Sequence, residues 1–208
     1  MIVLDLGGVL SWPSDLYSTP SALLGVSPDA YEAAYWQRRA ELDHRLPPDE
    51  YYSDLLTRLD VDPTPGLVRH LSQLDMSLWC RFRPSAIDML RELGTWGERP
   101  VILSNAPATL REAAERSDWY PLVGRLFISA ELGLVKPDRR LYAQVTDELE
   151  VAPGDVAFID DRADNVAAAA AFGWRAHLWV DDGDSLAWLR NVNGAAAAGP
   201  GSQPQPAR

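Results

Sequence analysis

The stretch MIVLDLGGVL, residues 1–10, decides how this chain is read. An apolar run ends on an aspartate, two glycines follow, and apolar residues return. A continuous run of this kind is the signature of a strand buried in a sheet. An acid at the end of a buried strand has to be paired, ligated or used in chemistry, because an unpaired carboxylate in apolar surroundings is costly. Asp5 is therefore the first candidate functional residue. Gly7, which offers no side chain two positions later, raises the second question.

Working outward, further short β-like runs lie at 100–104 (PVILS), 125–129 (RLFIS), 155–160 (DVAFID) and 176–180 (AHLWV), after the first at 2–6. The segments between them are long enough for helices, and that alternation predicts an α/β fold: a doubly wound, Rossmann-like parallel sheet with helices on both faces. PSAIDMLRELG repeats apolar residues at Ile87, Leu90 and Leu93 and stops at Gly94, while PATLREAAERS and PDRRLYAQVTDELE each begin with proline. Residues 11–83 break the rhythm. They hold no convincing strand and at least two amphipathic helices, 27–42 and 47–60, and are expected to form a helical cap inserted after the first strand. The core is then 1–10 with 84–193, and the Gly- and Pro-rich tail 194–208 is expected to be disordered.

Composition narrows the function. With 208 residues, 47% of them hydrophobic, the chain can bury one good core. A net charge of -11 and a pI near 4.6 make nucleic acid and anionic membrane poor partners. A single cysteine, Cys80, excludes an intrachain disulfide and a Cys-rich metal site. No stretch reaches the roughly 20 apolar residues of a membrane span, and the N-terminus lacks the pattern of a signal peptide, so the expected location is cytoplasmic.

Ligands of open parallel sheets bind beyond the carboxyl ends of the strands, at the point where strand order reverses. The polar residues fall at those ends: Asp5 after the first run, Ser104 and Asn105 after the second, Asp160 and Asp161 after the fourth. If the first and fourth runs are neighbours, three carboxylates converge and need a cation to neutralise them. An all-oxygen donor set points to Mg2+. Lys136, in GLVKPD, follows a Gly-rich turn ahead of a helix, and a lysine set against such a cluster could stabilise both an ionised nucleophile and an incoming phosphate.

Four stretches in order, DLGGVL, LSNAP, GLVKPD and FIDDRADNV, resemble the motifs of the haloacid dehalogenase-like hydrolase superfamily. The resemblance spans essentially residues 1–180. The ELDHRLPPDEYYSDLL segment also looks like the small-cap branch with glucose-1-phosphate phosphatases and the phosphatase domain of soluble epoxide hydrolases. The resemblance implies a Mg2+-dependent phosphatase acting on a small phosphorylated metabolite. Asp5 would be the nucleophile that carries an aspartyl-phosphate. Ser104, the Asn105 amide and Lys136 would bind phosphate. Asp5, Asp161 and the Gly7 carbonyl would ligate the metal, with Asp160 and Asn165 in support.

The family usually has a second aspartate where this chain has Gly7, acting as general acid and base. General acid–base catalysis is worth roughly 10²–10⁴-fold, so its loss predicts a slow or narrow phosphatase rather than a dead one. Asp15 is one replacement acid to consider; His44 is expected to be structural. Two alternatives stand beside the phosphatase: a non-catalytic descendant that binds a phosphorylated ligand or a protein, and a 2-haloacid dehalogenase, against which the acidic pair at 160–161 counts. A homodimer through apolar cap surface is a further expectation.

Overall fold

A computed structural model of the chain describes residues 1–197, with side-chain surroundings for 1–192. Five parallel strands form one sheet: β1 (Ile2–Leu4), β2 (Val101–Ser104), β3 (Arg125–Ile128), β4 (Ala157–Asp160) and β5 (Arg175–Leu178), in the order β3-β2-β1-β4-β5. The order reverses between β1 and β4, where Val3 lies opposite Phe158 and Leu4 opposite Ile159. Every strand is shorter than its apolar run. β1 stops before Asp5, although the Asp5 amide still donates to the Ile159 carbonyl, 2.9 Å away. The chain thus leaves the ladder where the polar residues begin.

Side-chain alternation along the strands builds two apolar layers. Ile2, Leu4, Ile102 and Ile159 face one way, toward α6 (Pro84–Thr95) and α11 (Asp182–Ala197). Val3, Val101, Leu103 and Phe158 face the other, toward α9 (Arg139–Leu149) and α10 (Ala163–Phe172). Cys80 is buried among the first set. The proline-led starts expected for two helices are corrected: α7 spans Leu110–Glu115, and α9 begins after Asp138, whose side chain accepts the Arg140 amide. Pro107 and Pro137 precede these helices instead of opening them. The first four residues of the expected tail, 194–197, close α11 as helix, and its remainder lies outside the described residues.

Between β1 and α6 run five helices: α1 (Ser18–Leu24), α2 (Pro28–Gln37), α3 (Arg39–His44), α4 (Pro48–Arg58) and α5 (Pro65–Trp79). They bury a core of their own around Tyr31, Tyr35, Tyr51, Tyr52, Leu55 and Leu71. The helix expected at 27–42 is two helices. At Arg38 the backbone leaves helical geometry (φ -124°, ψ 16°), and neither glycine nor proline marks the place. The break accompanies the inward turn of Arg39, which is 6% exposed and pairs with Asp43 and Asp75. No helix among the described residues is long and apolar enough to cross a membrane.

Candidate active site

The acids at the strand ends meet. Asp5, Asp160 and Asp161 each bring a carboxylate oxygen within 4.8 Å of the others. The β1–β4 pairing alone accounts for this, since it sets residues far apart in sequence side by side at one edge of the sheet. Lys136 is buried between two of them, its Nζ 2.8 Å from Asp5 Oδ1 and 2.7 Å from Asp160 Oδ2. Asn165, on the first turn of α10, donates from Nδ2 to both Asp160 oxygens at 2.9 and 3.1 Å, and the Arg162 amide donates to Oδ1 at 2.9 Å. Asp160 is thereby saturated. Among the described residues Asp5 accepts only the Leu6 amide, at 2.6 Å, besides Lys136, both at Oδ1, which keeps Oδ2 for other use.

The charges do not balance. Three carboxylates surround one ammonium, and burial penalises each charge. Burial drives the Asp5 carboxyl upward, Lys136 pulls it down, Asp160 pushes it up again, and the net direction is well above the ordinary range. Burial and then the Asp160 charge raise Asp161 too. At Asp160 burial is outweighed by Lys136 and the hydrogen bonds, and the group stays below its ordinary value. A surplus of negative charge on an all-oxygen donor set is what a hard divalent cation neutralises, so these residues fit Mg2+.

Gly8 shows how closely this cluster is packed. Its φ is +79°, and a Cβ there would collide with the Asp161 carboxylate. The sequence pattern drew attention to Gly7 and passed over Gly8, although a paired glycine is the available signal. At Gly7 the finding is different. A Cβ would lie 3.2 Å from Cζ3 of Trp79, the last residue of α5, whose Nε1 donates to Tyr35 Oη at 3.0 Å. An indole from the helical insertion occupies the direction in which an aspartate at position 7 would project.

Ser104 ends β2 and is 4% exposed, and its hydroxyl has no protein partner among the described residues. Asn105 does more than its backbone suggested: Nδ2 donates to the Lys136 carbonyl at 2.9 Å and Oδ1 accepts the Lys136 amide at 2.8 Å. That two-point clamp fixes the lysine backbone, and no spacing rule foretold it. Neither Ser104 nor Asn105 caps α7, whose N-cap is Thr109. Asp15 pairs with Arg81 and Thr19 on a partly exposed turn and does not border the site. His44 Nε2 meets the Gly133 carbonyl at 3.0 Å, a link between insertion and core.

A cavity of about 480 Å3 opens over the cluster. Asp5, Gly7, Ser104, Asn105, Lys136 and Asp161 form its polar end, and Trp12, Trp36, Trp79, Met76, Leu110 and Val135 its apolar walls. Trp12 and Trp36 are 68% and 50% exposed, unusual for indoles, and stand at this cavity. A larger hollow of about 840 Å3 between α5, α6 and α7 contains none of the strand-end acids. Chemistry therefore selects the smaller one.

Comparison with known proteins places the chain in a family. The chain is 27% identical over 174 residues to the sesquiterpene phosphatase astK of Aspergillus oryzae, covering 82% of this chain and 85% of that protein. It is 28% identical over 134 residues to phosphatase MT3486 of Mycobacterium tuberculosis, 64% of this chain and 61% of that one. A solved dehalogenase structure superposes with a TM-score of 0.66 at 25% identity, covering 83% of this chain and 81% of that one. The family of haloacid dehalogenase-like hydrolases matches residues 2–173, and the chain, a hydrolase, belongs to that family.

Proposed function

We propose that the chain is a phosphomonoester hydrolase that works through a phosphoryl group carried on Asp5, and that its substrate is a small phosphate ester with an apolar organic part. The observation that carries the reading is the convergence of Asp5, Asp160 and Asp161 around Lys136 at the closed end of a cavity. Phosphoryl transfer asks chiefly for positioning and charge neutralisation, and this cluster offers both. Asp5 has an oxygen free to attack phosphorus. Ser104 and the Asn105 amide are disposed to bind the phosphate oxygens, and the Lys136 ammonium holds Asp5 in place and offsets its charge. Asp5, Asp161 and the Gly7 carbonyl would hold Mg2+, which supplies positive charge to the transferring phosphoryl group. The apolar walls favour an ester whose alcohol is hydrophobic, a choice supported by the likeness to a sesquiterpene phosphatase.

The test is phosphate release. With Mg2+ the protein is expected to hydrolyse an aryl monophosphate, to stop when the cation is chelated, and to lose turnover in Asp5→Asn. An undiminished rate in that variant would remove Asp5 from the mechanism. The likeness to a dehalogenase supports a second reading, displacement of halide by the same carboxylate from a 2-haloacid. Halide released from 2-chloropropionate, with no phosphate released from any ester, would favour it.

A further inference from the structure

The phosphatase reading leaves a proton unaccounted for. An alkoxide is a poor leaving group, and position 7 has no side chain to protonate it. Three carboxylates line the cavity: Asp5, Asp161 and, from α3 of the insertion, Asp43. The first two belong to the cluster. We propose that Asp43 is the acid that protonates the leaving oxygen and the base that then activates water, a task moved from the sheet to the helical insertion.

Asp43 shares the cavity with Asp5, Ser104, Asn105 and Lys136, and its backbone is tied to the loop at the phosphate end. The Ser129 hydroxyl donates to the Asp43 carbonyl and accepts the Ala106 amide, 2.9 Å away, next to Ser104 and Asn105. A single hydroxyl therefore ties the Asp43 backbone to the loop that borders the phosphate. Its side chain is held as well. Arg39 Nε donates to Oδ1 at 2.8 Å, while Oδ2 has no partner among the described residues. One oxygen is anchored and the other is available. Position 7 carries no side chain and Trp79 lies against it, so of the three carboxylates that line the cavity Asp43 is the one outside the metal cluster.

The electrostatics suit the task. Arg39 faces Asp43 from its own helix and Asp75 from α5, with Asp5, Lys136, Asp161 and Arg162 around the shared cavity. Burial pushes the Asp43 carboxyl up, Arg39 pulls it back, Asp75 adds to the rise, and the result is about 6. A group poised there keeps a useful protonated fraction near neutrality. In the first step the Asp5 oxygen bonds to phosphorus, the bond from phosphorus to the ester oxygen breaks, and that oxygen takes the Asp43 proton to leave as alcohol. In the second, water bonds to phosphorus, its proton passes to the Asp43 carboxylate, and phosphate departs from Asp5. Both carboxyl groups end as they began.

The inference rests on the phosphatase reading, and the experiment separates the two. Hexyl phosphate needs a protonated leaving group; 4-nitrophenyl phosphate does not. Asp43→Asn is expected to lower kcat/KM for hexyl phosphate by about 100-fold or more, and the first turnover of 4-nitrophenyl phosphate far less. In the wild type the hexyl phosphate rate falls as pH rises through about 6, and the variant loses that limb. Asp43→Glu, which keeps a carboxyl, recovers part of the loss. The ratio of the two rates on one sample cancels any difference in folded fraction, so a merely structural role for Asp43 would leave it unchanged. An unchanged ratio, or an unchanged pH limb, overturns the role of Asp43 alone. Absence of phosphate release from the wild type overturns the phosphatase reading and this inference with it.

Discussion

Two buried cations in this molecule each lie between two carboxylates. Lys136 sits between Asp5 and Asp160 at the edge of the sheet, and Arg39 between Asp43 and Asp75 inside the helical insertion. The stoichiometry is the same; the completion differs. Asp75 receives the Arg39 guanidinium at 3.0 Å, the Tyr35 hydroxyl at 3.0 Å and the Tyr52 hydroxyl at 2.6 Å, so both of its oxygens have donors. In the sheet a third acid, Asp161, joins without a cation of its own, and Asp5 keeps an open oxygen. The Asp75 side of the insertion's cluster, completed by two tyrosine hydroxyls, holds helices together, whereas the sheet cluster, with surplus charge facing a cavity, is equipped to bind something. Asp43 belongs to the first cluster by its hydrogen bond and borders the cavity of the second, which is why it stands out.

Removing the cation from the unbalanced cluster should have the largest effect on the chain. Lys136→Met leaves Asp5 and Asp160 facing each other without a counter-charge. A loss of about 3–5 kcal/mol is expected from urea unfolding, together with loss of phosphatase turnover. Stability within about 1 kcal/mol of wild type would mean that the ammonium does not hold the acids, and the contrast with Arg39 would fail. Next comes Gly8→Ala, which forces a side chain into left-handed backbone and against Asp161. It should cut turnover by roughly 100-fold through displacement of that carboxylate, and abolish the rise in melting temperature on adding Mg2+. A retained rise would show that Asp161 is not needed for the cation.

The smallest effect concerns the indole over Gly7. Gly7→Asp on its own should cost about 1–3 kcal/mol by crowding Trp79. Combined with Trp79→Phe, it should show a coupling of roughly 1 kcal/mol in a double-mutant cycle. Additive costs would show that the ring does not occupy that space, and a restored aspartate at position 7 would then compete with Asp43 for the same role.

Much of this was legible beforehand, and the reason is local. A strand buried on both faces reads as an apolar run, and a site at its end reads as the first polar residue after it, so Asp5, Ser104, Asp160 and Asp161 could be picked out by position. The insertion was harder. Its helices over 28–44 are interrupted at Arg38 by a tertiary demand, the inward turn of Arg39, which leaves no glycine or proline to read. The clamp of Asn105 on Lys136 and the ring of Trp79 over Gly7 join segments distant in sequence and depend on how the insertion packs on the sheet. No spacing rule reaches that far. Strand ends were misjudged by a residue or two because apolar character continues where pairing has stopped.

The strand order has a consequence for how the protein comes into being. Val3 is flanked by Val101 on one side and Phe158 on the other, so the earliest strand of this sheet to leave the ribosome is the middle one, and both of its neighbours emerge much later. Until they do, its apolar residues have no ladder to join, and long-range parallel pairing of this kind is slow to form. Between the emergence of β1 and that of its two partners the strand is an unpaired apolar segment, and such segments are prone to aggregate.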